Sequence, residues 1–172
     1  MLNHTTLIII ITVIVSLAAW QNKKLLNRLI FYPPAVDNGQ WDRFVTHGFI
    51  HADSMHLLFN MFTLYFFGQA IEGLYRSFLF GYGFVVFYVL AIVVAMIPSY
   101  LKNKHNASYL SLGASGGVSA VLFAFILLAP WDRDFGMTFY DRDRAQIEAA
   151  HSYDDELMCN QMHRPLFSLW LR

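Results

Sequence analysis

Over the first 131 positions, long apolar runs alternate with short polar stretches. Positions 5–20 (TTLIIIITVIVSLAAW) carry no charge and predict a helix close to the roughly 17–25 residues that a bilayer crossing takes. A signal peptide is the rival reading, because Leu17, Ala18 and Ala19 offer small residues near the end of the run. No Lys or Arg precedes it, which is wrong for a signal n-region, so the run reads as an uncleaved span. Positions 55–71 predict a second span, closed by Glu72, and positions 78–100 a third, with Pro98 near its end. Positions 115–129 predict a fourth that is short for a full crossing. A short helix that starts within the membrane puts Ser115 below the surface, with the preceding loop lining a cavity.

The connections carry patterns of their own. In positions 21–54, Leu25, Leu26, Leu29 and Ile30 recur at helical spacing among Lys23, Lys24 and Arg28, which predicts a helix lying in the interface. Pro33-Pro34 is expected to end it. Trp41, Phe44 and Phe49 suit the headgroup level. Positions 102–111 form a short polar loop. After position 131 the longest apolar stretch, 165–171, is far too short to span. The fold class is therefore all-α, a polytopic membrane helical bundle with four spans.

Composition agrees. The chain is 56% hydrophobic and 14% charged, against about 25% charged in soluble domains. Its formal net charge of +0 suggests no nucleic-acid partner. Cys159 is the sole cysteine, so no intrachain disulfide forms. The acidic residues divide the chain: four (Asp37, Asp42, Asp53, Glu72) precede position 132, and eight lie in the 41 positions from Asp132 onward. This predicts a membrane domain, 1–131, and a polar acidic tail, 132–172, either disordered or foreign to the fold. Lys and Arg are shared evenly between the two sides, so charge does not set the orientation.

Gly113-Ala114-Ser115-Gly116 opens the fourth helix and carries the sharpest chemistry. A serine nucleophile needs a base for its proton and donors for the developing oxyanion. Ser115 at a helix start has unpaired backbone N–H groups and the positive end of the helix dipole beside it. Serine and glycine in membrane helices also serve simply to pack them, and the motif alone leaves both readings open. His56 and Asn60, four apart on one helix face, could aim donors at one point or make an interhelical hydrogen bond. His47, His51 and His56 lack a carboxylate set, and no metal or cofactor is expected. Glu72 reads as structural. Gly116, Ala120 and Ala124 form a stripe that calls for a closely packed partner helix.

Taken together, Trp41 and Arg43, Thr46, His51, the block His56-Leu57-Leu58-Phe59-Asn60, Glu72 and Gly113-Ala114-Ser115-Gly116 resemble the rhomboid family of intramembrane serine proteases, over about positions 25–131. The resemblance implies a multi-pass protein of the cell membrane that cleaves transmembrane protein substrates. Ser115 would be the nucleophile, His56 and Asn60 would join the Ser115 N–H in holding the oxyanion, and Gly113 would shape the loop beside it. The first loop would be half-sunk in the outer leaflet, with the N-terminus in the cytoplasm. Four of the family's usual six spans are expected here. The family's general base is a histidine on the sixth span, and the sequence offers no such helix. His151 and His163 lie in the polar tail without apolar flanks. The resemblance thus implies impaired turnover, with the join at Trp131/Asp132 reading as a truncation, frameshift or fusion. The alternatives are a non-catalytic membrane protein that binds client transmembrane helices and, from intramembrane His56 and Glu72, a small transporter or channel subunit.

Overall fold

Helix α1 (His4–Gln21) turns Thr5, Ile8, Thr12, Ser16 and Ala19 inward and leaves Leu7, Ile10, Ile11, Ile14 and Leu17 exposed. A water-soluble helix would do the reverse. The inversion recurs: α5 (Ser54–Tyr75) buries Asn60 and Gly68 and exposes Phe59, Phe62 and Tyr65. α6 (Gly83–Asn103) and α7 (Ser115–Leu128) likewise expose Leu90, Val94, Phe123 and Ile126. Large apolar side chains on the outer faces, with small and hydroxyl-bearing ones admitted among the apolar core, suit a bundle solvated by lipid. The structure is a computed structural model; it describes residues 3–75 and 79–128, without the side chain of Phe80. The tail assigned to 132–172, with His151 and His163, lies outside the described residues.

The polar connections are built by caps. Asn22 closes α1 with its backbone N–H on Ala18 O, while its side chain accepts from the N–H groups of Lys24 and Leu25 to open α2 (Lys23–Leu29). The expected helix forms, but prolines do not end it. Pro33 instead starts α3 (Pro33–Asp37), at the helical position where its missing N–H costs nothing. The last carbonyls of α2, unpaired in any helix end, go to α4 (Arg43–Thr46). Arg43 Nη1 donates to Asn27 O at 3.0 Å and to Ile30 O, and Thr46 Oγ1 donates to Leu29 O at 2.9 Å. Trp41 stays exposed and stacks on Phe44. A single 3-10 turn, His47–Phe49, leads on toward α5.

Three predicted boundaries move by about one turn. α5 runs to Tyr75, so Glu72 lies within its last turn rather than closing it. α6 starts at Gly83 after a 3-10 turn at Leu79–Gly81, encloses Pro98 and ends at Asn103.

α7 packs against both α5 and α6, and α1 packs against α5. The main core joins Leu57, Met61 and Leu64 of α5, Phe84, Tyr88 and Ile92 of α6, and Val118 and Val121 of α7. At Gly116 the α7 backbone closes on α6: a Cβ there would lie 2.5 Å from Ala95 Cβ, so only glycine permits the approach.

Candidate active site

Residues 111–114 lead into α7 along a path fixed at several points. Ser111 and Phe31 exchange both backbone hydrogen bonds, at 2.9 and 3.1 Å. The Gly113 N–H donates to His47 O at 2.9 Å. The Ala114 N–H donates to His51 Nε2 at 3.3 Å. Gly113 has φ +117°, a left-handed conformation, and a Cβ there would sit 2.6 Å from His56 Cε1. Both features restrict the position to glycine.

Ala114 O accepts the first bond of α7, from the Val118 N–H at 3.0 Å. The N–H groups of Ser115, Gly116 and Gly117 therefore have no intrahelical partner. Ser115 is exposed, and its Oγ makes no hydrogen bond among the described residues. The Gly116 contact with Ala95 sets the depth, because Ala95 lies eight residues before the end of α6. At 1.5 Å per residue, the start of α7 lies about 12 Å inward from that end. A cavity of about 180 Å³ opens beside Ser115, lined by Ala95, Met96 and Ser99 of α6 and by His47, Ser111 and Gly116.

The two residues singled out on α5 occupy different places. The His56 ring packs on Gly113, two residues from Ser115. Asp53 Oδ1 holds its helix start by accepting from the His56 N–H at 2.8 Å. Asn60 is buried and donates one amide N–H to His56 O, one turn back on its own helix, at 2.9 Å. Its second N–H and its oxygen have no partner among the described residues.

Of the three histidines weighed as metal ligands, two are held by neighbouring groups. His47 Nδ1 bonds Arg43 O at 2.9 Å, and burial lowers its pKa. His51 stands within a relay. Its Nε2 accepts from Ala114, so the ring proton sits on Nδ1 and is donated to Ser16 Oγ at 3.1 Å; Ser16 then donates to Phe49 O at 3.2 Å. Each hydrogen bond has one donor and one acceptor only if the imidazole is neutral. Burial first, then repulsion from the His56 ring 5.0 Å away, holds the His51 pKa at about 4, while Asp53 raises it slightly. Sequence reasoning missed the role of His51 and missed Ser16 altogether. The available signal was the inward hydroxyl stripe Thr5, Thr12 and Ser16, invisible inside an apolar run without its register.

Glu72 is structural, as expected. Its carboxylate accepts from the His4 N–H at 2.8 Å, the Thr5 N–H at 2.9 Å and Thr5 Oγ1 at 2.6 Å, and so caps the start of α1 from α5.

The model of the Rhomboid domain matches residues 38–141, more than half of the chain. The chain is 39% identical over 94 residues to Rhomboid-like protein 11, chloroplastic, of Arabidopsis thaliana, covering 54% of the chain and 31% of that protein. It is 32% identical over 100 residues to Rhomboid protease GlpG of Haemophilus influenzae, with 57% and 45% covered. To Rhomboid protease GlpG of Enterobacter sp. it is 30% identical over 95 residues, with 55% and 30% covered. The aligned part is thus less than half the length of each of these relatives. With the matched domain taking in α4 to α7, and so both His56 and Ser115, the chain belongs to the rhomboid family.

Proposed function

We propose that this chain carries the nucleophile and the oxyanion-binding half of an intramembrane serine endopeptidase that acts on transmembrane protein substrates. The observation behind this reading is the start of α7. A solvent-accessible Ser115 hydroxyl and an unpaired N–H lie next to a glycine, Gly113, on which the His56 ring rests. Ser115 Oγ attacks the scissile carbonyl, and its proton leaves to a base. The carbonyl oxygen becomes an oxyanion held by the Ser115 N–H, the His56 ring and the free amide N–H of Asn60. The base returns its proton to the nitrogen, the amine leaves and an acyl-serine remains, which water hydrolyses to release the acid and restore Ser115. α7, with 14 residues, is about 21 Å long. That is shorter than the roughly 30 Å hydrocarbon layer, which suits attack below the membrane surface in a multi-pass protein of the cell membrane.

The missing part is the base. Among the described residues no imidazole bonds Ser115 Oγ, and the sequence of positions 132–172 offers no apolar run long enough for a further span. We propose that turnover by the 172 residues alone is impaired for this reason. Purified chain incubated with a labelled transmembrane substrate in detergent tests the reading. Slow cleavage abolished by Ser115→Ala supports it, and cleavage that survives the substitution rejects Ser115 as nucleophile. The unpartnered Ser115 hydroxyl also fits a non-catalytic protein that holds client helices. In that case no cleavage occurs, and clients co-purify equally with the parent chain and with Ser115→Ala.

A further inference from the structure

We propose that the groove between α2 and residues 104–110 binds the headgroup of an anionic phospholipid in the leaflet that meets the first loop. This site lies away from Ser115 and does not depend on peptide hydrolysis. The groove is open, with a volume of about 450 Å³. One wall is Asn27, Ile30 and Tyr32, and the other is Ala107, Ser108 and Leu110. Ile30 and the exposed Leu110 give it an apolar part. Asn27, Tyr32 and Ser108 bring side-chain donors that have no partner among the described residues. An apolar wall beside hydrogen-bond donors suits an amphiphile at the membrane interface.

Charge decides which amphiphile. Every acidic side chain among the described residues is engaged. Asp42 pairs with Arg28, Asp37 accepts from Tyr100, Asp53 caps α5 and Glu72 caps α1. Of the cations, Arg28 is neutralised by Asp42 and Arg43 is spent on carbonyls. Lys23, Lys24, Lys102 and Lys104 are exposed, and among the described residues none has an acidic partner. Lys23 and Lys24 lie four and three positions before Asn27 on α2 and share its face. Lys102 and Lys104 lie at the end of α6, where the chain turns into the other wall. The Phe31–Ser111 backbone pair joins the segment after α2 to the segment after α6, so all four lysines lie at one end of the bundle. Unneutralised lysines at the end of the bundle that carries the groove attract phosphate-bearing lipids.

The test uses the full chain in detergent micelles, with phosphatidylglycerol and phosphatidylcholine of the same acyl chains added in turn and bound lipid read by native mass spectrometry. Phosphatidylglycerol is expected to be retained about tenfold more strongly, and the triple substitution K23Q/K24Q/K104Q to remove that preference. These three side chains are exposed, so the fold is expected to survive, and an unchanged helical circular dichroism signal checks it. Equal retention of the two lipids overturns the proposal, and so does a preference that the triple variant keeps. Inorganic phosphate is the third arm. If millimolar phosphate displaces the lipid completely, the site is a general anion site and the lipid assignment fails.

Discussion

The two ends of the bundle are held by different means. At one end a single carboxylate, Glu72, gathers two backbone N–H groups and a hydroxyl from α1 and ties α1 to α5. At the other end no charge bonds the 111–114 loop. It is held by backbone partners at Phe31 and His47 and by the neutral ring of His51. The difference is chemical. If Ser115 acts as proposed, a carboxylate beside it would repel the oxyanion, whereas neutral anchors leave the unpaired N–H groups at the start of α7 to meet it. The loop end also consumes the N–H groups of Ser111, Gly113 and Ala114, so an incoming carbonyl meets few competing donors.

The largest effect is expected from breaking the neutral anchor. His51→Ala leaves the Ala114 N–H and Ser16 without their partner in a buried place, at a cost of about 3 kcal/mol. Thermal unfolding in detergent measures it, and faster hydrogen exchange at Ala114 would locate it. His51→Gln keeps an acceptor and is expected to recover part of the loss.

Acidity attacks the same anchor more gently. His51 has a folded pKa of about 4, below its ordinary value near 6.5, so the unfolded chain binds more protons between those values. The contribution of neutral His51 is full above pH 6.5, falls as pH drops and is gone below about pH 4. Its upper bound is about 3 kcal/mol. Stability measured from pH 7 to pH 4 should decline in the parent chain and less steeply in His51→Gln.

At the opposite end, Glu72→Gln keeps the shape but offers an amide N–H to one of three donors. A loss of about 1–2 kcal/mol is expected in thermal unfolding, with the loop around Ser115 unchanged by hydrogen exchange. The smallest effect belongs to the exposed pair Arg28–Asp42, where Arg28→Ala should leave the thermal unfolding midpoint in detergent unchanged.

These anchors mark where the sequence stops being readable. The spans were legible because apolar runs announce themselves: the runs at 5–20 and 115–129 became His4–Gln21 and Ser115–Leu128. The Gly113-Ala114-Ser115-Gly116 turn and the His56 face toward it were legible because glycine and polar groups stand out against apolar neighbours. The first loop was legible only as an interface helix with aromatic company. Its order comes from side chains reaching distant carbonyls, as Arg43 and Thr46 do across to α2. Such bonds follow no period. Ser16 and His51 meet across 35 positions, a pairing that no local pattern encodes. Pro33 misled for a related reason, because proline stops a helix from within but starts one at its first residue.

Whether the start of α7 is built to hold a tetrahedral oxyanion is tested most directly with a peptidyl boronic acid, which forms that geometry on a serine without needing turnover. Intact-mass measurement of the full chain should show one adduct, absent in Ser115→Ala and at least about tenfold weaker in His56→Ala. An adduct that persists in Ser115→Ala, or no adduct on the parent chain at saturating inhibitor, would contradict the assignment of Ser115 as nucleophile.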